Sequence, residues 1–270
     1  MTNFICVTCG TQFADSDQPP AACPICTDER QYVGHNGQQW ITLADLQRDH
    51  HNIIKPVEPH LIGIGTHPAF AIAQRALLVQ TPEGNLLWDC ISLLDQPTIA
   101  AVNDLGGIKA IAISHPHYYS SMIEWAQTFN APIFIHAADQ THVMRQHPAI
   151  NYWQGETHEL FGGLSLIRCG GHFAGGQVLH WPTGADGRGA LLTGDIIQVI
   201  PDRHYVSFMY SYPNLIPLSA SAVQRIAAAV MPYQYDRIYG AWWDRIIPSD
   251  AAAAVARSTV RYINALTSQG

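Results

Sequence analysis

Two patterns of potential metal ligands stand out in this chain of 270 residues. Residues Ser114–Ser121 read Ser-His-Pro-His-Tyr-Tyr-Ser-Ser and follow an apolar run from Ile108 to Ile113. That run reads as a buried strand. Two histidines two apart, just past a strand end, can aim both imidazoles at one point, which is how a metal is held at the rim of a sheet. A loop that merely happens to carry His115 and His117 is the alternative. The second pattern is Cys6-Val-Thr-Cys9, then Cys23-Pro-Ile-Cys26. Two such knuckles supply four thiolates, the number that a closed tetrahedral Zn²⁺ site takes. Gly10 and Pro24 suit the tight turns the knuckles need. Two disulfides or a redox pair are the alternatives, and the doubled spacing opposes them.

The cysteine segment resembles a rubredoxin-like zinc ribbon. The resemblance implies a structural Zn²⁺ on Cys6, Cys9, Cys23 and Cys26, without an open position. Iron is compatible with the same ligands. So short a segment could hardly hold a core without its metal.

Composition narrows the rest. Apolar residues make up 47% of the chain and charged residues 13%, which favours a folded core over disorder. The net charge is −7 and Lys and Arg form no cluster, so no nucleic-acid partner is expected. No stretch approaches a transmembrane helix, and Met1-Thr-Asn-Phe-Ile-Cys6 does not read as a signal peptide. No membrane association is expected, and the expected compartment is the cytoplasm, where paired cysteines point to metal or redox chemistry.

These ligands need elements to position them. Gln31 to Trp40 is expected to form a hairpin turning at Asn36-Gly37. Thr42 should cap a short helix, with Asp45 reaching back. A linker holding Pro56 and Pro59 follows, which gives a ribbon over 1–40, a helix and linker over 41–60 and a large domain over 61–270. In that domain Ala76–Val79 and Leu86–Trp88 read as a hairpin, and the second strand ends in Asp89-Cys90. Pro97–Leu105 reads as a helix stopped at Gly106-Gly107. Ser120 or Ser121 should cap a helix over Met122–Phe129, followed by a strand to His136 and a helix over Ala137–Arg145. Leu164–Arg168 leads into Cys169-Gly-Gly-His172. Val178–Trp181 and Ala190–Leu192 are strands, the latter running into Thr193-Gly194-Asp195. A helix from Ser219 to Met231, a strand at Arg237–Tyr239 and a helix over Ala251–Leu266 complete the chain.

Four strand ends thus carry polar ligands: Asp89, His115 with His117, His172 and Asp195. In that order they resemble the metallo-β-lactamase fold hydrolases, over roughly Leu61 to the C-terminus. The resemblance implies an α+β fold, a four-layer αββα sandwich with metals at one edge. It implies a first site of three histidines, matched by His115, His117 and His172, and a bridging carboxylate, matched by Asp195. Two departures follow. Tyr119 and Ser120 stand where the family has an Asp and a His, and Ala241 or Trp242 stands where a late His is expected. One active-site metal is therefore expected, on the three histidines and Asp195, with Zn²⁺ leading and Fe²⁺ or Mn²⁺ as alternatives.

The function this implies is a mononuclear hydrolase. Metal-bound water would attack a small ester, thioester, lactone or amide, with Asp195 orienting that water or acting as base. Tyr119 is either a donor to developing negative charge or a ring filling the space of a missing second metal. Trp242 and Trp243 are expected at the pocket rim. The alternatives are an iron oxygenase similar to the sulfur dioxygenases of the same fold, and a non-catalytic scaffold with a decayed second site. The expected partner is a small-molecule substrate. The ribbon and the run Phe208 to Tyr212 are candidate surfaces for a protein partner or self-association. Cys90, Cys169, His136, His158 and His204 are expected to be ordinary packing or polar residues.

Overall fold

A computed structural model describes residues 1–267. The chain forms two compact units, residues 1–153 and residues 154 onward.

The first unit begins with the ribbon. β1 (Phe4–Cys6) pairs antiparallel with β2 (Trp40–Thr42), and α1 (Pro24–Thr27) carries the second knuckle. Asn36-Gly37 does turn the chain, with the Gly37 N–H donating to Gly34 O at 2.8 Å. The expected local hairpin does not form, because the strand after the turn pairs back to β1. α2 (Leu43–Asp49) has the expected capping box: Thr42 accepts from Asp45 N, and the Asp45 carboxylate accepts from Thr42 N.

Residues 51–58, expected as linker, are a strand. β3 (His51–Glu58) is the edge of a seven-stranded sheet with β4 (Leu61–His67), β5 (Arg75–Thr81), β6 (Gly84–Trp88), β7 (Ala110–Ala112), β8 (Ile133–His136) and β9 (Ile150–Trp153), in that order. Pro56 is tolerated there because an edge strand has one side on which no N–H need pair. β3 to β6 run antiparallel and β6 to β9 parallel. α3 (Gln96–Asp104) and α4 (Met122–Phe129) make the crossovers. Ser121 takes the N-cap position of α4 without a side-chain cap, and Ser120 turns its hydroxyl elsewhere. The helix expected after His136 is 3₁₀, over Ala137–His142.

The second unit carries a six-stranded sheet. Its strands are β10 (Thr157–Glu159), β11 (Ser165–Arg168), β12 (Gln177–Trp181) and β13 (Ala190–Gly194), with α5 (Gly184–Gly187) a short turn between the last two. Two small ribbons follow, β14 (Gln198–Val199) with β15 (Val206–Ser207) and β16 (Met209–Ser211) with β17 (Ile216–Pro217). α6 (Ala220–Val230), β18 (Arg237–Gly240), β19 (Ile246–Ile247) and α7 (Ala251–Thr267) complete it. The sheet order is β10-β11-β12-β13-β18-β19, and only β13 and β18 pair in parallel. Val223, Ile226 and Val230 recur at helical spacing on α6 and pack with Val255 of α7 and Ile238 of β18 in one apolar cluster. Among the described residues no helix is long and apolar enough to cross a membrane.

Candidate metal centres

The ribbon sulfurs converge as their spacing implies. Cys6, Cys9, Cys23 and Cys26 are essentially inaccessible and unbridged, and their sulfurs lie within 4.8 Å of one another. The Cys6–Cys26 and Cys9–Cys23 sulfurs are 3.5 and 3.7 Å apart. A tetrahedral zinc with bonds of about 2.3 Å sets its sulfurs about 3.8 Å apart, so the cage fits the ion. Gln38 Nε2 donates to Cys6 Sγ at 3.1 Å, the kind of contact that steadies a thiolate ligand. The neighbouring sulfurs and burial push the Cys9 thiol up, so the cage needs a cation to hold four thiolates.

His115 and His117 follow β7 at the mouth of a short 3₁₀ turn, Pro116–Tyr118. Their rings are 5.0 Å apart, and both are buried. Asp89, after β6, adopts φ +61° and accepts from Ser114 N at 2.7 Å, which pins the start of the histidine loop. Ser114 Oγ lies 2.9 Å from His115 Nδ1, so that nitrogen is engaged and Nε2 is the one left for a metal. The adjacent aromatic residues divide their roles. Tyr118 packs edge-on to His115 with centroids 4.4 Å apart. Tyr119 is buried, and burial with the charge of Asp139 and the neighbouring Tyr152 push its phenol well above its ordinary range.

His172 follows β11 in the glycine-rich loop and is buried. Its Nδ1 lies 2.7 Å from Tyr210 O. A carbonyl only accepts, so Nδ1 carries the proton and Nε2 presents its lone pair. Asp195 follows β13 and is buried, and Tyr212 Oη donates to its main-chain oxygen at 2.7 Å. Phe208 and Ser211 are inaccessible, Met209, Tyr210 and Tyr212 are half-buried, and Tyr210 and Tyr212 hydrogen-bond His172 and Asp195. Spacing alone could not have shown that, because nothing periodic links residues 208–212 to 172 or 195.

The ligand nitrogens of His115, His117 and His172 lie within 4.8 Å of one another. Two such clusters of three or more ligands occur among the described residues, this one and the cysteine cage, and Asp195 stands outside both. Three buried imidazoles, two of them with Nδ1 held by a neighbour, fit a borderline-soft divalent ion. Cys90 and Cys169 join neither cluster; burial raises both thiols, that of Cys169 to about 12.

A relative decides the family. A protein of Bacillus subtilis (strain 168), described as "Uncharacterized protein YmaE", is 54% identical over 271 residues, covering 100% of this chain and 98% of its own. The chain belongs to the YmaE family. No family model matches it. Solved structures place this YmaE-family chain in the metallo-β-lactamase fold. The DIM-1 metallo-β-lactamase superposes with a TM-score of 0.60 at 13% identity, covering 80% of this chain and 99% of that one. A metallo-β-lactamase from Pontibacter korlensis gives a TM-score of 0.55 at 15% identity, with 79% and 100% covered. One from Cronobacter sakazakii, described by a HARLDQ motif, gives 0.52 at 17%, with 82% and 95% covered.

Beyond Asp195 the second unit holds one more feature. A hollow of about 610 Å³ is lined by Gln198, Arg203, Trp242, Trp243, Asp244 and Arg245. Ala241 N donates to Gly194 O at 3.2 Å, which ties the strand end before Trp242 to the one before Asp195. Trp242 and Trp243 therefore line a hollow. The two arginines were not foreseen, since neither lies in a ligand motif.

Proposed function

We propose that the chain is a mononuclear metal-dependent hydrolase acting on a small ester, thioester, lactone or amide. The observation that carries this is the buried cluster of His115, His117 and His172 on a metallo-β-lactamase fold. When bound there, Zn²⁺, or Fe²⁺ or Mn²⁺ in its place, supplies a water nucleophile near neutral pH and polarises the substrate carbonyl. Asp195, buried beside the strand end, completes the ligand set or takes the proton of the attacking water at its carboxylate. Tyr118 closes one side of His115 and excludes water there. Tyr119 stays protonated in its buried setting, which is compatible with both of its expected roles, a donor to developing negative charge and a ring that fills space. The hollow with Trp242, Trp243, Arg203 and Arg245 suits a substrate with a planar apolar part and an anionic group.

The test is a screen of chromogenic esters, lactones, thioesters and phosphodiesters with the purified protein, alongside elemental analysis. Turnover of a carbonyl substrate that His172→Ala abolishes is the expected result. Iron without hydrolysis would favour the oxygenase. An unfilled histidine site without turnover would favour a scaffold.

A further inference from the structure

The first cysteine knuckle continues directly into the histidine loop's supports. Cys6 N donates to Thr11 O at 3.0 Å and Cys9 Sγ lies 3.3 Å from Thr11 Oγ1, so residues 6–12 fold around the cage. Gly10, at φ +81°, presents its carbonyl to Ser92 Oγ at 2.8 Å. A Cβ there would lie 2.5 Å from Ser92 Oγ and 3.2 Å from the Ala71 Cβ, so the knuckle has no slack. Gln12 N donates to Ser120 O at 3.0 Å. Gln12 Nε2 donates to Glu124 Oε1 at 3.1 Å, and Arg145 Nη1 donates to both Gln12 Oε1 and Glu124 Oε1. Ser120, at φ +43°, receives Gln74 Nε2 on its hydroxyl at 3.0 Å. Thr11, Gln12, Ser92 and Ser120 are each at most 3% exposed. Ser120 is three residues past His117, and Tyr118 and Tyr119 between them are held by turn bonds to His115 O and Pro116 O.

We propose that the metal-loaded ribbon is a positioning element for the histidine site, acting through Gly10 and Gln12 on Ser92 and Ser120. This rests on the reading of His115, His117 and His172 as a metal centre. The Cys9–Gln12 segment takes its shape from the four thiolates on their ion, because a segment this short has little core of its own. Its main chain supplies the Gln12 donor to the Ser120 carbonyl, where the histidine loop turns into α4. With the cage empty, Gln12 and Gly10 lose their fixed position and the His115–Ser120 loop samples other conformations. The histidine site then binds its metal less tightly, and by linkage a filled histidine site tightens the cage.

The test uses the full chain and Co²⁺, whose spectrum separates thiolate from imidazole ligation. Hydrogen exchange over residues 114–121 is followed in parallel. A Cys6→Ser/Cys9→Ser variant should bind Co²⁺ at the histidine site about tenfold more weakly and exchange faster at 114–121. Gly10→Ala and Glu124→Gln keep all metal ligands and should move both readouts the same way by less, with the cage still filled. Because removing the ligands can cost the fold, these two variants decide the matter if the double variant is unfolded. Histidine-site affinity within twofold of wild type and unchanged exchange in the folded variants would overturn the proposal. A wild-type chain that takes Co²⁺ only on its cysteines would sink the metal-centre reading instead, and exchange at 114–121 would still decide the ribbon's role.

Discussion

The phenol of Tyr212 donates to the main-chain oxygen of Asp195 across 2.7 Å. Two residues earlier, Tyr210 O takes the Nδ1 proton of His172 at 2.7 Å. One strand end thus supports two chemistry-bearing residues at once. Burial and the Asp195 charge push the Tyr212 phenol well above its ordinary range, so it remains a donor at any physiological pH. Tyr212→Phe removes that donor from a buried carbonyl and should cost about 1–3 kcal/mol in urea unfolding. Outer-shell changes of this kind weaken metal binding about 10-fold or more. The cage should keep its zinc in the same preparation, measured by elemental analysis.

Metal stoichiometry separates the two centres. Wild-type protein should carry two ions per chain, one in the cage and one on the histidines. A His115→Ala/His117→Ala variant should carry one, with thiolate ligation alone. Three ions in the wild type would contradict a mononuclear site.

For the ribbon, metal binding and folding are one event. Cys6→Ser should leave residues 1–40 open to limited proteolysis while fragments from the later strands persist. Treating wild-type protein with a strong chelator should reproduce the pattern. Equal resistance in both would show that the segment folds without its ion.

Acid stability has a traceable source in His180. Burial holds this imidazole below its ordinary pKa, outweighing its contact with Gln234 O at 2.9 Å. The folded state therefore binds its proton later than the unfolded state as pH falls. The contribution is complete above about pH 6.5, the unfolded value, and is lost on acidification toward the lowered folded value. A His180→Gln variant should lose less thermal stability than wild type between pH 7.5 and 5.5. An equal loss would place the sensitivity elsewhere.

In the hollow, Arg203→Ala should raise KM for an anionic substrate with little change in kcat, the mark of lost uniform binding. Trp242→Ala should raise KM for substrates with a planar group. A neutral aliphatic substrate untouched by either change would relocate the binding surface.

Much of this was legible in residue order, because the information is short-range. Two-residue spacing after an apolar run placed His115 and His117, and paired knuckles placed Cys6, Cys9, Cys23 and Cys26 in one cage. The Thr42–Asp45 capping box was readable for the same reason. Pairing was not. The strand at Trp40–Thr42 chose β1 over its local neighbour, and the proline-bearing segment became an edge strand, because both choices depend on partners distant in the chain. The supports of the histidines were equally hidden. Tyr210 lies 38 residues from His172, and Ser92 lies 82 from Gly10. The sequence by itself determined which side chains can ligate a metal and that a second full set is missing. Tertiary structure decided which nitrogen His115 and His172 present and that the ribbon grips Ser120. Those outcomes depend on carbonyls and hydroxyls brought in by chain pairing, and main-chain carbonyls leave no mark on residue type.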